Sequence, residues 1–236
     1  PRRLILNNKI IVDSKNHEKL TPKEIIAVSS QVGASKIALE LGYEELKRNY
    51  YNFGFTKPIS INFPSSTFGY MNIKESVSDS ELASLGYGYG ITMSPFQIAS
   101  AYSVFANDGE YKDFQLLKNE EVTSRKIISS YSASNVLDAL KKVVKDGTGK
   151  AAEINGFSEG GKTGTVHKII KGSGYAEDSY RASFIGIAPL SDKSLTIFVS
   201  IDEPGLNSYT GGSVAAPVFA KIAESSLNHL GYFEDE

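Results

Sequence analysis

Gly160-Gly161-Lys162-Thr163-Gly164-Thr165 concentrates chemistry in this chain: one lysine set among glycines and hydroxyls. Two chemistries use such a string. One cradles nucleotide phosphates on backbone amides. The other lines the cleft of a serine acyl-transferase. Gly156 to Thr163 satisfies G-x-x-x-x-G-K-[ST], and Leu195 to Glu203 imitates the apolar strand ending in acids that would hold magnesium. The context opposes a nucleotide site. A phosphate loop follows a buried strand and opens a helix. Ala151 to Asn155 is too polar for that strand, and Val166 to Ile170 is β-branched without a helical face. Asp202-Glu203 reads as a strand end entering the Pro204-Gly205 turn.

Read as Lys-Thr-Gly at the start of a strand, the same residues form one wall of a cleft. Gly164 lets a substrate backbone approach, having no Cβ. An extended peptide can then add to the strand edge. Lys162 offers positive charge to a substrate carboxylate, and Thr163 and Thr165 offer hydroxyls. The bland alternative is a tight turn with a solvated lysine. A second candidate is Ser29, in Ser29-Ser30-Gln31, which could pass a proton between a nucleophile and a leaving amine. The bland alternative there is a helix cap.

The elements that must position these residues follow from local signals. Leu4 to Val12 reads as a hairpin with a polar turn. Thr21, Pro22 and Glu24 spell a capping box that starts a helix. A second helix, Val32 to Leu41, is expected to turn Val32, Ile37, Ala38 and Leu41 to one side, with Gly42 as its stop. The serines thus sit at a junction of helices. Residues 43–75 read as irregular, with Pro58, Phe63 and Pro64 among their aromatics and turns, and 76–84 as a loop. A helix from Ser94-Pro95 to about Asn107 is expected to bury Phe96, Ile98, Ala99, Tyr102 and Phe105. Residues 114–128 read as strand-like, and a helix follows to Lys145. Val166 to Ile170 (ended by Gly172-Ser173-Gly174), Ala182 to Ala188 and Leu195 to Ile201 read as strands. Ser213 to Leu230 is a helix expected to turn Val218, Phe219, Ile222, Ala223 and Leu227 inward. Strands joined by turns predict an α+β fold, an antiparallel sheet with helices packed on it.

Composition narrows the classes. The 236 residues suit one sizeable domain, and a net charge of −2 gives no electrostatic case for nucleic acid. No apolar run approaches the ~20 residues of a spanning helix, and Pro1-Arg2-Arg3 does not open a signal peptide. Cysteine is absent, which removes disulfides and thiolate chemistry and leaves the compartment open. His17, His167 and His229 have no metal-ligand spacing. No cofactor or metal is expected.

Whole segments then carry a resemblance. They are Leu20 to Ala38, Gly86 to Ala99, Ala106 to Gly109, Asp146 to Gly149, Gly161 to Thr165 and Gly211 to Phe219. In these the chain resembles the transpeptidase domain of a class B penicillin-binding protein, most closely the cell-division type. The resemblance implies a penicillin-recognising, β-lactamase-like fold over residues 1–236 and a serine D,D-transpeptidase that cross-links peptidoglycan. It implies D-Ala-D-Ala stem peptides and β-lactams as ligands. Division proteins and a glycosyltransferase acting on lipid-linked precursor are implied partners. A place on the outer face of the cytoplasmic membrane is implied too, held by an anchor outside this chain. Ser29 corresponds to the second-motif serine, and Lys162, Thr163 and Gly164 to the third motif. The N–H of Thr165 corresponds to an oxyanion-hole donor. Gln31 stands where the family has Asn, one methylene longer, which also fits a non-catalytic peptidoglycan-binding or β-lactam-binding relative. No serine is followed by lysine three positions on. The nucleophile and its lysine are therefore expected upstream, and the chain reads as the carboxy-terminal part of the domain, inactive alone.

Overall fold

The computed structural model describes residues 2–7, 9–56, 68–118, 122–170, 174–191, 193–205 and 207–232. Pro58, Phe63, Pro64 and Gly172-Ser173 lie outside the described residues. The chain divides into two compact units, Pro1–Ala133 and Ser134–Glu236. Its helices and antiparallel strands give the expected α+β class.

In the first unit β1 (Arg3–Leu6) and β2 (Lys9–Val12) form the expected hairpin, with Leu4 opposite Ile11 and Ile5 opposite Ile10. Alternation sends Ile11 into a cluster with Val32 and Ala83, against which Leu4 and Leu6 pack. Helix α1 (Pro22–Val28) carries the predicted capping box: Glu24 takes the Thr21 N–H at 2.8 Å and returns its own to the Thr21 hydroxyl. Helix α2 (Gln31–Leu41) starts on a Ser30 cap and stops at Gly42. Its inward face is not the predicted one. Val32, Ser35 and Ala38 are buried, while Ile37 and Leu41 are 39% and 48% exposed. At 100° per residue those two lie roughly 120° or more from the middle of the buried stripe, at Ser35.

Two helices occupy stretches expected to be irregular. Helix α3 (Tyr43–Asn52) buries no residue fully and is laced by Glu44–Lys47 and Glu45–Arg48 pairs; Tyr43, Leu46 and Tyr50 keep a helical spacing, but only one of them is aliphatic and charged residues fill the positions between. Helix α4 (Asp79–Leu85) has seven residues, too few for a period, although Ser78 and Glu81 form a capping box. Helix α5 (Pro95–Ala106) starts on Ser94 as predicted. Its deepest residues are Gln97, Ser100, Ala101 and Val104, and Phe96 is exposed, meeting Phe114 edge-on at 5.2 Å. Ile98, Ala99, Tyr102 and Phe105 are half-buried. Gln97 replaces apolar packing with bonds: its carbonyl accepts from Gly69 N (2.6 Å) and Ser94 N, and its amide donates to Gly54 O and Phe55 O. The strand expected over 114–128 contracts to β4 (Ser124–Lys126), paired with β3 (Glu110–Lys112). Leu116 and Leu117, within that stretch, are exposed, and residues 119–121 lie outside the described residues.

Helix α6 (Ser130–Lys145) leads into the second unit, with Leu140, Val143 and Val144 buried and Val136 and Leu137 half-buried. There β5 (Gly160–Ile170), β6 (Gly174–Ala188) and β7 (Leu195–Asp202) make an antiparallel sheet in that order. A π-helical turn, Gly211–Ala215, precedes α7 (Ala216–Leu230). Phe219 of α7 meets Phe184 of β6 at 5.0 Å in a core with Val144, Ile154, Ala223 and Leu227. The inward stripe is Ala216, Phe219, Ala223 and Leu227. Val218 and Ile222, predicted inward, are 37% and 44% exposed, because they lie roughly 100° or more round the helix from the middle of that stripe.

Candidate active site

The first unit settles the two adjacent serines differently. Ser30 is buried and caps α2, accepting from Gly33 N at 2.9 Å. Ser29 is exposed and ends α1 in the left-handed conformation, φ 56° and ψ 47°. A non-glycine residue pays about 1–2 kcal/mol for that backbone, so neighbouring contacts must hold it. Two are backbone bonds that close α1, from Ser29 N to Ile26 O at 3.3 Å and from Ser30 N to Ile25 O at 3.0 Å, and the others come from the end of β2. Asp13 is buried, and its carboxylate accepts from Ser30 Oγ at 2.5 Å and from Val32 N at 3.0 Å. Gln31, between those two donors, is exposed beside Ser29. The cap reading holds for Ser30 at the start of α2, while Ser29 ends α1 and is exposed.

In the second unit Lys162, Thr163, Gly164 and Thr165 lie on β5, opposite Ile185, Phe184, Ser183 and Ala182 of β6. Among the described residues β5 pairs with β6 alone, which leaves it an edge strand. Lys162 Nζ donates to Thr163 O at 3.0 Å, and burial pulls its pKa down to about 8. The Thr163 hydroxyl shares a hydrogen bond of 2.8 Å with Thr148 Oγ1, from the turn after α6. Thr165 Oγ1 accepts from Gly211 N at 3.0 Å. A Cβ on Gly211 would stand 2.2 Å from Ser183 O and 2.5 Å from Gly164 O, so only glycine lets this turn lie on the strands. A Cβ on Gly164 would meet Ser183 Oγ at 2.6 Å. The strand is therefore held from two sides, by Thr148 and by the Gly211 turn.

Asp13, Thr148 and Gly211 were not picked out for a role from the sequence. Thr148 and Gly211 fall in segments that carried the resemblance. Asp13 gave only the signal of an acid directly after an apolar strand.

The phosphate-loop alternative is overturned. Lys162 and Thr163 sit inside a strand, not at a helix N-terminus. Asp202 and Glu203 both pair with Lys168, at 2.9 and 2.8 Å, and Asp202 also with Arg181. Among the described residues no group of carboxylates and histidines could hold a metal. Two threonines, Thr123 and Thr165, do precede a lysine by three positions. Neither makes a nucleophile–base pair: Lys126 bonds Asp108 O and Ser130, and Lys168 bonds the two acids. On an extended strand, positions three apart face opposite sides.

Residues 4–224 match the family model described as the penicillin binding protein transpeptidase domain. A probable peptidoglycan D,D-transpeptidase, PbpC, of Pseudomonas aeruginosa is 36% identical over 98% of this chain and 41% of its own length. The peptidoglycan D,D-transpeptidase FtsI of Buchnera aphidicola is 34% identical over 93% of this chain and 39% of its own. The chain thus spans about two fifths of these relatives. Among solved structures, the apo transpeptidase domain of penicillin-binding protein 3 from Burkholderia pseudomallei superposes with a TM-score of 0.91 at 33% identity, covering 100% of this chain and 72% of that one. With the matched region covering nearly all of the chain and a fold shared at that level, the protein belongs to the penicillin-binding transpeptidase domain family.

Proposed function

We propose that this chain is the carboxy-terminal part of a peptidoglycan D,D-transpeptidase that cross-links stem peptides in septal wall synthesis and is acylated by β-lactams. The observation that carries the reading is β5: an edge strand bearing Lys162-Thr163-Gly164, buttressed by Thr148 and Gly211. An extended peptide adds to that edge by main-chain hydrogen bonds. A serine upstream of the matched region attacks the penultimate D-Ala carbonyl, the C–N bond breaks, and the terminal D-Ala leaves as an amine that takes a proton. An acceptor amine then attacks the acyl-serine and restores the serine hydroxyl. Lys162 binds the substrate's terminal carboxylate, Thr163 donates to it, and the Thr165 N–H stabilises the oxyanion. Ser29 relays the proton to the leaving amine and Gln31 contacts the stem-peptide amide. Division proteins and a lipid-linked-precursor glycosyltransferase are its partners, at the outer face of the cytoplasmic membrane.

The test is labelling of the complete protein with fluorescent penicillin. One serine is labelled in the parent, and Lys162→Ala slows labelling by about 100-fold, the size expected for loss of an aimed charge. A parent that takes no label sinks the proposal. Gln31 in place of Asn supports a second reading, a sensor that binds but does not turn over. Labelling without turnover of a stem-peptide mimic would select it.

A further inference from the structure

The left-handed turn at Ser29 raises the question of what holds it. We infer that Asp13 is a positioning residue for the reaction: its buried carboxylate clamps the Ser29-Ser30-Gln31 turn and thereby aims Ser29 and Gln31. The inference rests on the transpeptidase reading of Ser29 and Gln31 given above.

The geometry is two-pronged. One carboxylate oxygen takes the Ser30 hydroxyl at 2.5 Å, the other the Val32 N–H at 3.0 Å. The Ser30 oxygen in turn takes the Gly33 N–H at 2.9 Å. The first turn of α2 is thus tied at 30, 32 and 33, on both sides of Gln31. Asp13 itself is anchored on the hairpin: its N–H donates to Arg2 O at 3.0 Å, and Arg2 Nε donates to its carbonyl at 3.1 Å. Ile11, two residues back, packs with Val32 in the same small core. The carboxylate therefore has little freedom to follow the turn, and the turn must conform to it. Ser30 cannot replace it, because a hydroxyl that caps α2 still has a proton to place, and Asp13 is where that proton goes. Ser29 has neither the glycine nor the asparagine that commonly ends a helix in this conformation. The backbone bonds that close α1, Ser29 N to Ile26 O at 3.3 Å and Ser30 N to Ile25 O at 3.0 Å, fix one side of the turn, and Asp13 fixes the Ser30 side chain on the other.

A simple structural staple and a positioning residue predict different results. The experiment uses the complete protein and benzylpenicillin, and measures the fraction of sites labelled, the noncovalent dissociation constant and the acylation rate constant. Asp13→Asn keeps shape and the bond from Val32 N, but offers N–H to a hydroxyl that needs an acceptor. We expect it to keep its labelled fraction and its dissociation constant within about threefold. Its acylation rate constant should fall about 10- to 100-fold, the scale of a small misplacement of a reacting group. Ser30→Ala should fall by the same order, and the double variant Asp13→Asn/Ser30→Ala no further than the worse single, since both act through one bond. Should Asp13→Asn fold poorly, the rate constant per labelled site in Ser30→Ala decides alone. A smaller labelled fraction at an unchanged rate constant makes Asp13 a staple only and overturns the inference, as does additive loss in the double variant. A parent that is not acylated overturns the transpeptidase reading, and this inference with it. A parent that is acylated, slow in Lys162→Ala but unaffected in Asp13→Asn, overturns the inference alone.

Discussion

Lys162 holds its ammonium against the cost of burial, which brings its pKa from 10.5 down to about 8. In the proposed role, recognition of a carboxylate by that charge should be full well below pH 8, halved near it and lost as pH rises further. Acylation of the complete protein should therefore decline on the alkaline side near pH 8. Lys162→Arg, which stays charged at any accessible pH, should lose rate but also lose that limb; a limb that persists in the arginine variant belongs to another group. Glu159 runs the other way. It is 8% exposed, and burial, the largest cause, raises its pKa from 4.5 to about 7 while a bond from Ile154 N opposes the shift. Below pH 4.5 the carboxyl is protonated folded and unfolded alike, and costs nothing. As pH rises to 7 the unfolded chain ionises first, so stability falls, and above 7 the loss is constant. Glu159→Gln should match the parent at pH 4 and exceed it by on the order of 2–3 kcal/mol at pH 8. Melting temperatures across that range check the sign.

At the scale of elements, what could be read ahead was what is local. The capping box at Thr21 and the Ser94-Pro95 pair are signals within a few residues, and both helices start where those predict. Helix α3 was hidden in an aromatic-rich, mostly polar run whose inward face is only Tyr43, Leu46 and Tyr50, and α4 in a stretch of seven residues that holds no period. The faces were misassigned because apolar periodicity counts side chains and not what meets them. Helix α5 shows why: a glutamine at 1% exposure is one of its deepest anchors, satisfying four backbone groups from three loops. Gln97→Met keeps the volume and strands those donors and acceptors. It should cost roughly 2–4 kcal/mol, several buried groups each losing part of their desolvation offset. Denaturant unfolding measures this, and a loss below 0.5 kcal/mol, the scale of an ordinary surface change, would refute the anchoring role.

For the whole molecule, the chain holds two motifs and no Ser-x-x-Lys. Two such motifs without an attacking group do no covalent chemistry. The 236-residue chain should take no stable label from fluorescent penicillin, while the same chain continuous with a Ser-x-x-Lys segment should. Stable labelling of the shorter species would place a nucleophile within residues 1–236 and dismiss the assignment of Ser29 as a relay. Family, fold class and the strand nature of Lys162-Thr163-Gly164 were all present in the one-dimensional string, because order of segments and β-branched runs are properties of the string. Three things were decided only by the folded chain. Ser29 and not Ser30 is left outward, because Asp13, seventeen positions from Ser30, takes the second hydroxyl. Thr163 is steadied by Thr148, fifteen positions away. Gly211 closes over Thr165 from forty-six positions away. Each is a hydrogen bond between residues distant along the chain, and neither propensity nor periodicity carries information across such a separation.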